Sequence, residues 1–435
     1  MKKLLLLLTI SCSLSLTSVA QYPTILTQRE QAKVIDELLD DRLQNLLPGL
    51  MKREGFDMWI VMSREYNEDP VIKTFLPATW HAARRTTMLV MFDKGTEVEY
   101  LAVARYDVGK VFKRAWNPEE QPDQWARLGK IIEERNPKKI GVNKAANWGH
   151  TDGLTSNDYD NLMRVLPKKL QANVTSAEKL AVAWLETRSK KEMDIYPQIC
   201  RIAHQIIAEG FSDVVIQPGV TTSDDLVWWY REKIKELKLD TWFHPSVDIQ
   251  HEGPVTDNII RPGDFLHVDF GITYLRLNTD TQEHAYVLRA GETEAPAYLR
   301  EAFKKGNRLQ DIFTNNFREG KTGNQVLAES RKQAIAEGIK PSIYTHPIGY
   351  HGHAAGTTLG MWDMQGGVPI TGDYPLHLNT AYSIELNCMV DIPEWKKEVR
   401  IALEEDAYFD EKGVNYIDGR QTEIILIPKA LPNVK

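Results

Sequence analysis

Apolar positions at helical spacing open the first part of the chain that reads as a folded element. Val34, Ile35, Leu38, Leu39, Leu43, Leu46, Leu47 and Leu50 share one face, and Gly55 follows as a stop. Met58-Trp59-Ile60-Val61-Met62 is a continuous apolar run of buried-strand type, and strand patterns recur over 86–92 and 98–104. A helix around 125–134, a strand at 139–142 and a helix near 162–170 complete an alternation. That order predicts an α/β domain over 25–180 with a mostly parallel sheet covered by helices. The charged stretch LETRSKKEMDIY (185–196) then leads into a helix with Met193, Tyr196, Ile199, Ile202 and Ile206 on one face. Pro218-Gly219 ends this region, and Thr222 with Asp225 makes a capping box for a helix over 226–237. Beyond 245 the pattern changes to short strands and turns, so a second, α+β domain is expected over 181–430.

The apolar strands of this second domain are interrupted by acids. Segments 265–272 and 275–288 read as neighbouring antiparallel strands, one carrying Asp269 and the other Asp280. Burying an unpaired carboxylate costs several kcal/mol or more. Either acid alone would be an ordinary surface residue or cap, as Asp264 in the turn Pro262-Gly263-Asp264 is expected to be. Other interruptions follow. His346 heads the segment THPIGYHGHAAG (345–356), which also holds His351 and His353. Glu385 follows Tyr382-Ser383-Ile384, and Glu423 precedes Ile424-Ile425-Leu426-Ile427. Four carboxylates and an imidazole relieve one another's burial only around cations. Such an oxygen-rich set favours Mn²⁺, Co²⁺, Fe²⁺ or Zn²⁺. Two divalent ions would balance four negative charges, and a two-metal site is a hydrolytic centre.

Composition adds limits. The chain has 435 residues, 42% apolar and 26% charged, with a net charge of −7 and no long basic run. These are ordinary globular values, and they argue against nucleic-acid binding by phosphate neutralisation. The start MKKLLLLLTISCSLSLTSVAQ fits a signal peptide over 1–20, cut before Gln21, giving an exported, periplasmic or secreted protein. The apolar run is too short for a membrane span. A lipoprotein modified at Cys12 is the rival reading, although Thr9-Ile10-Ser11 fits that pattern poorly. Cys200 and Cys388 are far apart in apolar surroundings and are expected as buried free thiols.

These residues together resemble the pita-bread-fold metallopeptidases, the family of aminopeptidase P, prolidase and methionine aminopeptidase. The family pattern is an Asp, a second Asp eleven residues later, a His heading a Gly-rich HxxG segment, and two separated Glu on strands. Asp269, Asp280, His346, Glu385 and Glu423 match it in order. His353, seven residues after His346, matches a further family His, and His251 in QHEGP matches an earlier one. The likeness covers 185–428, and more weakly the N-terminal creatinase-like domain. Departures occur: where the family carries Asp-x-Thr-Arg this chain reads Asp280-Thr281-Gln282-Glu283, and Gln421 stands two before Glu423, where an Arg is usual. Ser342 stands where a His is frequent.

The resemblance implies two metal ions, manganese above all. Asp280 and Glu423 would bridge them, Asp269 would complete one, and His346 with Glu385 the other. Glu385 would be the general base, His353 a hydrogen-bond donor to the developing oxyanion, and His251 a substrate contact. The implied activity is an Xaa-Pro aminopeptidase acting on peptides with proline second. The alternatives are an Xaa-Pro dipeptidase, or a non-peptidase relative that acts on another amide or serves as a binding module. A homodimer is expected, in which Trp80 and His81 could approach a neighbouring cleft. No stable membrane insertion is expected.

Overall fold

A computed structural model describes residues 22–428. The expected signal peptide, its cleavage point and Cys12 lie outside the described residues. Thr27 and Glu30 form a capping box that starts the helix Gln28–Asp41. The helix continues through a wider turn, Arg42–Leu46, into Leu47–Glu54, and Gly55 ends it with φ of 69°. The N-terminal sheet is mixed. Its central strand Met58–Arg64 pairs antiparallel with Thr86–Asp93, which pairs antiparallel with Val98–Ala102. On the other side Met58–Arg64 runs parallel to Ile140–Val142, and that strand to Val174–Ser176. Val98–Ala102 also runs parallel to Lys113–Arg114, so of these six strands only Thr86–Asp93 opposes the rest, and the sheet is mostly parallel as expected, with one hairpin at the short turn Lys94-Gly95. The helix expected near 162–170 is split into Ser156–Val165 and Lys168–Gln171 by Pro167.

The helix Glu178–Glu186 buries Leu180 through Leu185 in the N-terminal core, so the junction falls after it, a few residues beyond 180. The next helix, Lys190–Gly210, belongs to the second core. Thr222 and Asp225 cap Ser223–Glu236 as expected from the sequence. This helix pair packs on a four-stranded sheet of Ser246–Gln250, Phe265–Phe270, Thr281–Val287 and Ile425–Ile427. A second pair, Ala297–Thr314 and Gly323–Ala336, covers the sheet of Lys340–Ile343, Leu386–Ile392 and Lys397–Leu403. A third sheet joins His346–Pro347, Thr380–Ser383, Asp406–Asp410 and Gly413–Tyr416. The candidate site lies where these curved sheets meet. Cys200 and Cys388 are buried and free. Among the described residues no helix is long and apolar enough to cross a membrane.

Candidate metal centre

Strand register brings the first two acids together. Phe265–Phe270 pairs antiparallel with Thr281–Val287, with Asp269 opposite Gln282. The expected strand over 275–288 is broken just before Thr281, where Asp280 turns inward and the Asp406 carboxylate accepts from its backbone N–H at 3.3 Å. His346 comes from the short strand His346–Pro347, which pairs with Ser383 and Tyr382. Glu385 sits where the chain leaves Thr380–Ser383 for Leu386–Ile392 and so changes sheets.

The fifth member is Glu404. It ends the strand Lys397–Leu403, is 1% exposed, and pairs through its backbone with Gln282. Ligand-capable atoms of Asp269, Asp280 and Glu404 lie within 4.8 Å of one another, as do those of His346, Glu385 and Glu404. Glu423 is elsewhere. It is exposed and lines a separate cavity of about 430 Å³ with Glu294, Arg300 and Lys304. The reason is positional. Glu423 precedes Ile425–Ile427, an outer strand of its sheet, whereas Lys397–Leu403 runs directly into the site.

The hydrogen bonds around this cluster lack a positive partner. The Nδ1 of His346 faces the Pro347 carbonyl at 3.0 Å, so Nδ1 carries the proton and Nε2 a free lone pair. That Nε2 points at Asp280 (3.6 Å), Glu404 (3.8 Å) and Glu385 (3.9 Å), all acceptors when ionised. His346 Nε2, Asp269 Oδ1 and Asp280 Oδ1 are buried without a hydrogen-bond partner. Burial first, then mutual repulsion, pushes the carboxyls of Asp280, Glu385 and Glu404 well above their usual range. Asp269 is raised to about 6 by burial, and burial lowers His346 to about 3. Acceptors converging in a largely buried site, with carboxylates that resist ionisation alone, fit divalent cations. The donor set of carboxylate oxygens and one imidazole suits them as well.

Gln282, which departs from the family's Asp-x-Thr-Arg run, takes a full set of partners at the site. Its amide nitrogen donates to Glu385 Oε1 at 2.6 Å and to Glu404 Oε2 at 2.7 Å. Its oxygen is held by His267 Nε2 at 2.8 Å, and Ser383 Oγ donates to Glu404 Oε1 at 2.5 Å. These bonds fix the carboxylate orientations that a metal would meet. Gln421 is not at the site; it exchanges hydrogen bonds with the backbone of His284.

The histidines separate into three positions. His353 stands perpendicular to His346 with ring centroids 4.6 Å apart, on the exposed rim. Trp242 packs edge-on against it at 5.0 Å and donates from Nε1 to the Thr279 carbonyl, making a wall that the sequence reading missed. His351 packs against His150 of the N-terminal domain at 4.4 Å. His251 does not reach the centre. The register Ser246 to Asp269 and Gln250 to Phe265 sets it beside Asp264, whose Oδ1 lies 3.0 Å from its Nδ1. Asp264 is therefore a buried partner, not a bland turn acid, and the pair lies about 16 Å of strand away from Asp269. Trp80 packs on Tyr106 and under the Arg84 guanidinium, while His81 is exposed.

With this geometry in place, similarity to known families becomes informative. Residues 198–409 match metallopeptidase family M24. The chain carries an M24 metallopeptidase domain. All five clustered residues except Glu423's replacement were read from the sequence, and that replacement, Glu404, also falls inside the matched region. Glu423 falls outside it. The two-domain fold is similar to an X-Pro aminopeptidase from Thermotoga maritima MSB8, at 15% identity and a TM-score of 0.62, over 86% of this chain and 99% of that one. An Xaa-Pro dipeptidase from Bacillus anthracis aligns at 18% identity and a TM-score of 0.54, over 92% and 100%. A variant of Escherichia coli aminopeptidase P aligns at 13% identity and a TM-score of 0.57, over 92% and 97%. Comparison with curated proteins gives no match. The M24 domain thus sits in a pita-bread fold behind an N-terminal α/β domain.

Proposed function

We propose that the chain is an exported, dinuclear metal-dependent exopeptidase that removes the N-terminal residue from peptides with proline second. The observation that carries this reading is His346 Nε2, a buried lone pair without a hydrogen-bond partner that faces the oxygens of Asp280, Glu385 and Glu404. Asp269, Asp280, His346, Glu385 and Glu404 would hold two divalent ions, with manganese the leading choice. Asp280 and Glu404 would serve both, a reading supported by each having a ligand-capable atom within 4.8 Å of one on His346 and of one on Asp269. Such a pair supplies an activated water and polarises the scissile carbonyl.

The chain's own groups define the remaining roles. Glu385 is held at Oε1 by Gln282, and its Oε2 is turned towards the centre, where it can accept the proton of an attacking water. His353, on the rim, has its pKa lowered by burial, so at neutral pH it is uncharged and can donate one hydrogen bond to a substrate oxygen. Trp242 beside it offers an apolar face to a proline ring. An Xaa-Pro bond is a tertiary amide with no N–H. A centre working through the carbonyl oxygen loses nothing by that absence. Support for proline comes from the folds of the X-Pro aminopeptidase and Xaa-Pro dipeptidase it resembles.

Paired peptides differing only in Pro or Ala at the second position test the reading. The Pro peptide is expected to be cleaved at least about tenfold faster in kcat/KM, with activity abolished by chelation and restored by Mn²⁺; a tenfold ratio corresponds to about 1.4 kcal/mol of transition-state preference. Equal or faster cleavage of the Ala peptide would defeat the proline assignment. Including Ala-Pro beside longer peptides separates a dipeptidase from an aminopeptidase. Export rests on the leader at 1–20, and the mature N-terminus, read by intact mass, is expected at Gln21. A lipid on Cys12 would contradict it.

A further inference from the structure

Residues alternate sides along a strand, so the neighbours of Gln282 and Glu404 point away from the candidate centre. Those neighbours are Glu283 and Glu405, and behind the strand they meet His204 of the helix Lys190–Gly210. One ligand-capable atom from each of His204, Glu283 and Glu405 lies within 4.8 Å of the others. His204 Nε2 is 2.9 Å from Glu405 Oε2, and its Nδ1 is 3.1 Å from Asp418 Oδ2. Asp418 is in turn gripped by Arg201 at 2.7 Å. A carboxylate on the far nitrogen of a histidine is the arrangement that orients a metal-binding imidazole.

Glu283 supplies the second, independent observation. It is 8% exposed, its side chain turns into the cluster, and no hydrogen bond satisfies its carboxylate among the described residues. A protonated His204 would hydrogen-bond to Glu405 and Asp418 but would face Glu283 across a gap, with no hydrogen bond to it. A divalent cation accounts for all three side chains. Its charge would offset Glu283 and Glu405, while Asp418 is already paired with Arg201. The existing 2.9 Å separation is close to the roughly 3 Å between neighbouring ligands of an octahedral ion with bonds of about 2.1 Å, and widening it to about 3.4 Å would suit a tetrahedral one. The His204 side chain is 20% exposed, which gives a path in from solvent.

We propose that His204, Glu283 and Glu405 form a further cation site for Zn²⁺ or Mn²⁺, back to back with the candidate catalytic centre. The two would share the strand pairs Gln282-Glu283 and Glu404-Glu405, so an ion there would stiffen the backing of the centre. Elemental analysis of the full chain, stripped with chelator and reloaded with Zn²⁺ or with Mn²⁺, tests this directly. His204→Gln and Glu283→Gln are each expected to hold one equivalent less than the parent. Glu404→Ala is expected to lose the ions of the catalytic centre and keep this one. Zn²⁺ should still raise the melting temperature of Glu404→Ala, and should lose that effect once Glu283→Gln is added. If either Gln variant folds and retains the parent's full metal content, the site is overturned. Failure of the catalytic reading looks different: Glu404→Ala would then match the parent while the Gln variants still lose an equivalent.

Discussion

Glu404→Ala is expected to abolish peptidase activity, whereas Glu423→Ala is expected to leave it intact. The buried Glu404 side chain is fixed by Ser383 and Gln282 and touches both halves of the acidic cluster. Removing it takes a charge from each proposed ion and leaves Gln282 with an unused donor. Metal-assisted polarisation of a carbonyl contributes several kcal/mol to the transition state, and about 4 kcal/mol corresponds to a fall of about 10³ in kcat/KM. The control is pointed, because the order of acids along the sequence assigns the role to Glu423. That side chain is exposed in a different cavity. Steady-state kinetics on an Ala-Pro peptide, with both variants shown to be folded, decide between the two. Loss of activity in Glu423→Ala with Glu404→Ala unimpaired would reverse the assignment.

The second large effect concerns stability where the domains join. Arg42 enters from the wide helical turn of the N-terminal domain, and Arg188 and Glu192 flank the start of the next domain's first helix. Arg42 Nη1 lies 2.6 Å from Glu192 Oε2, and Arg188 Nη1 lies 3.1 Å from Glu192 Oε1. All three side chains are at most 1% exposed. Arg42 also donates to the carbonyls of Thr187 and Trp184 and stacks on the Trp184 ring at 4.3 Å. Glu192 additionally closes the capping box with Ser189. Glu192→Ala strands two guanidiniums in the interior, and breaking a buried ion pair from one side costs about 3–5 kcal/mol. The lost cap adds about 1 kcal/mol. Urea unfolding should show a fall of about that size, and a change below about 1 kcal/mol would mean that water or rearranged carbonyls take over the role.

Much of this fold was legible because it follows from local chemistry. The Thr222–Asp225 box and the stop at Gly55 are decided within a few residues. The acids at Asp269, Asp280 and Glu385 stood out because each breaks an apolar strand, and His346 because of the histidines around it. Glu404 carried a signal too. Val399, Ile401 and Leu403 alternate up to three successive acids, Glu404-Glu405-Asp406, all of them buried. The family spacing does not single it out, because neither Glu404 nor Glu423 has an Arg two residues before it, and three adjacent acids also read as a solvated run. His251 failed for a different reason. Its place depends on the register between two strands, and only the pairing shows that it faces Asp264 at the wrong end. Trp242 was likewise placed by contacts far apart in sequence, with Thr279 and His353.

Anomalous diffraction at the manganese edge, from crystals of the full chain grown with Mn²⁺, tests the central claim most directly. Two peaks about 3.5 Å apart are expected inside the frame of Asp269, Asp280, His346, Glu385 and Glu404. A single-ion centre, peaks beside Glu423, or no density within that frame would contradict the account.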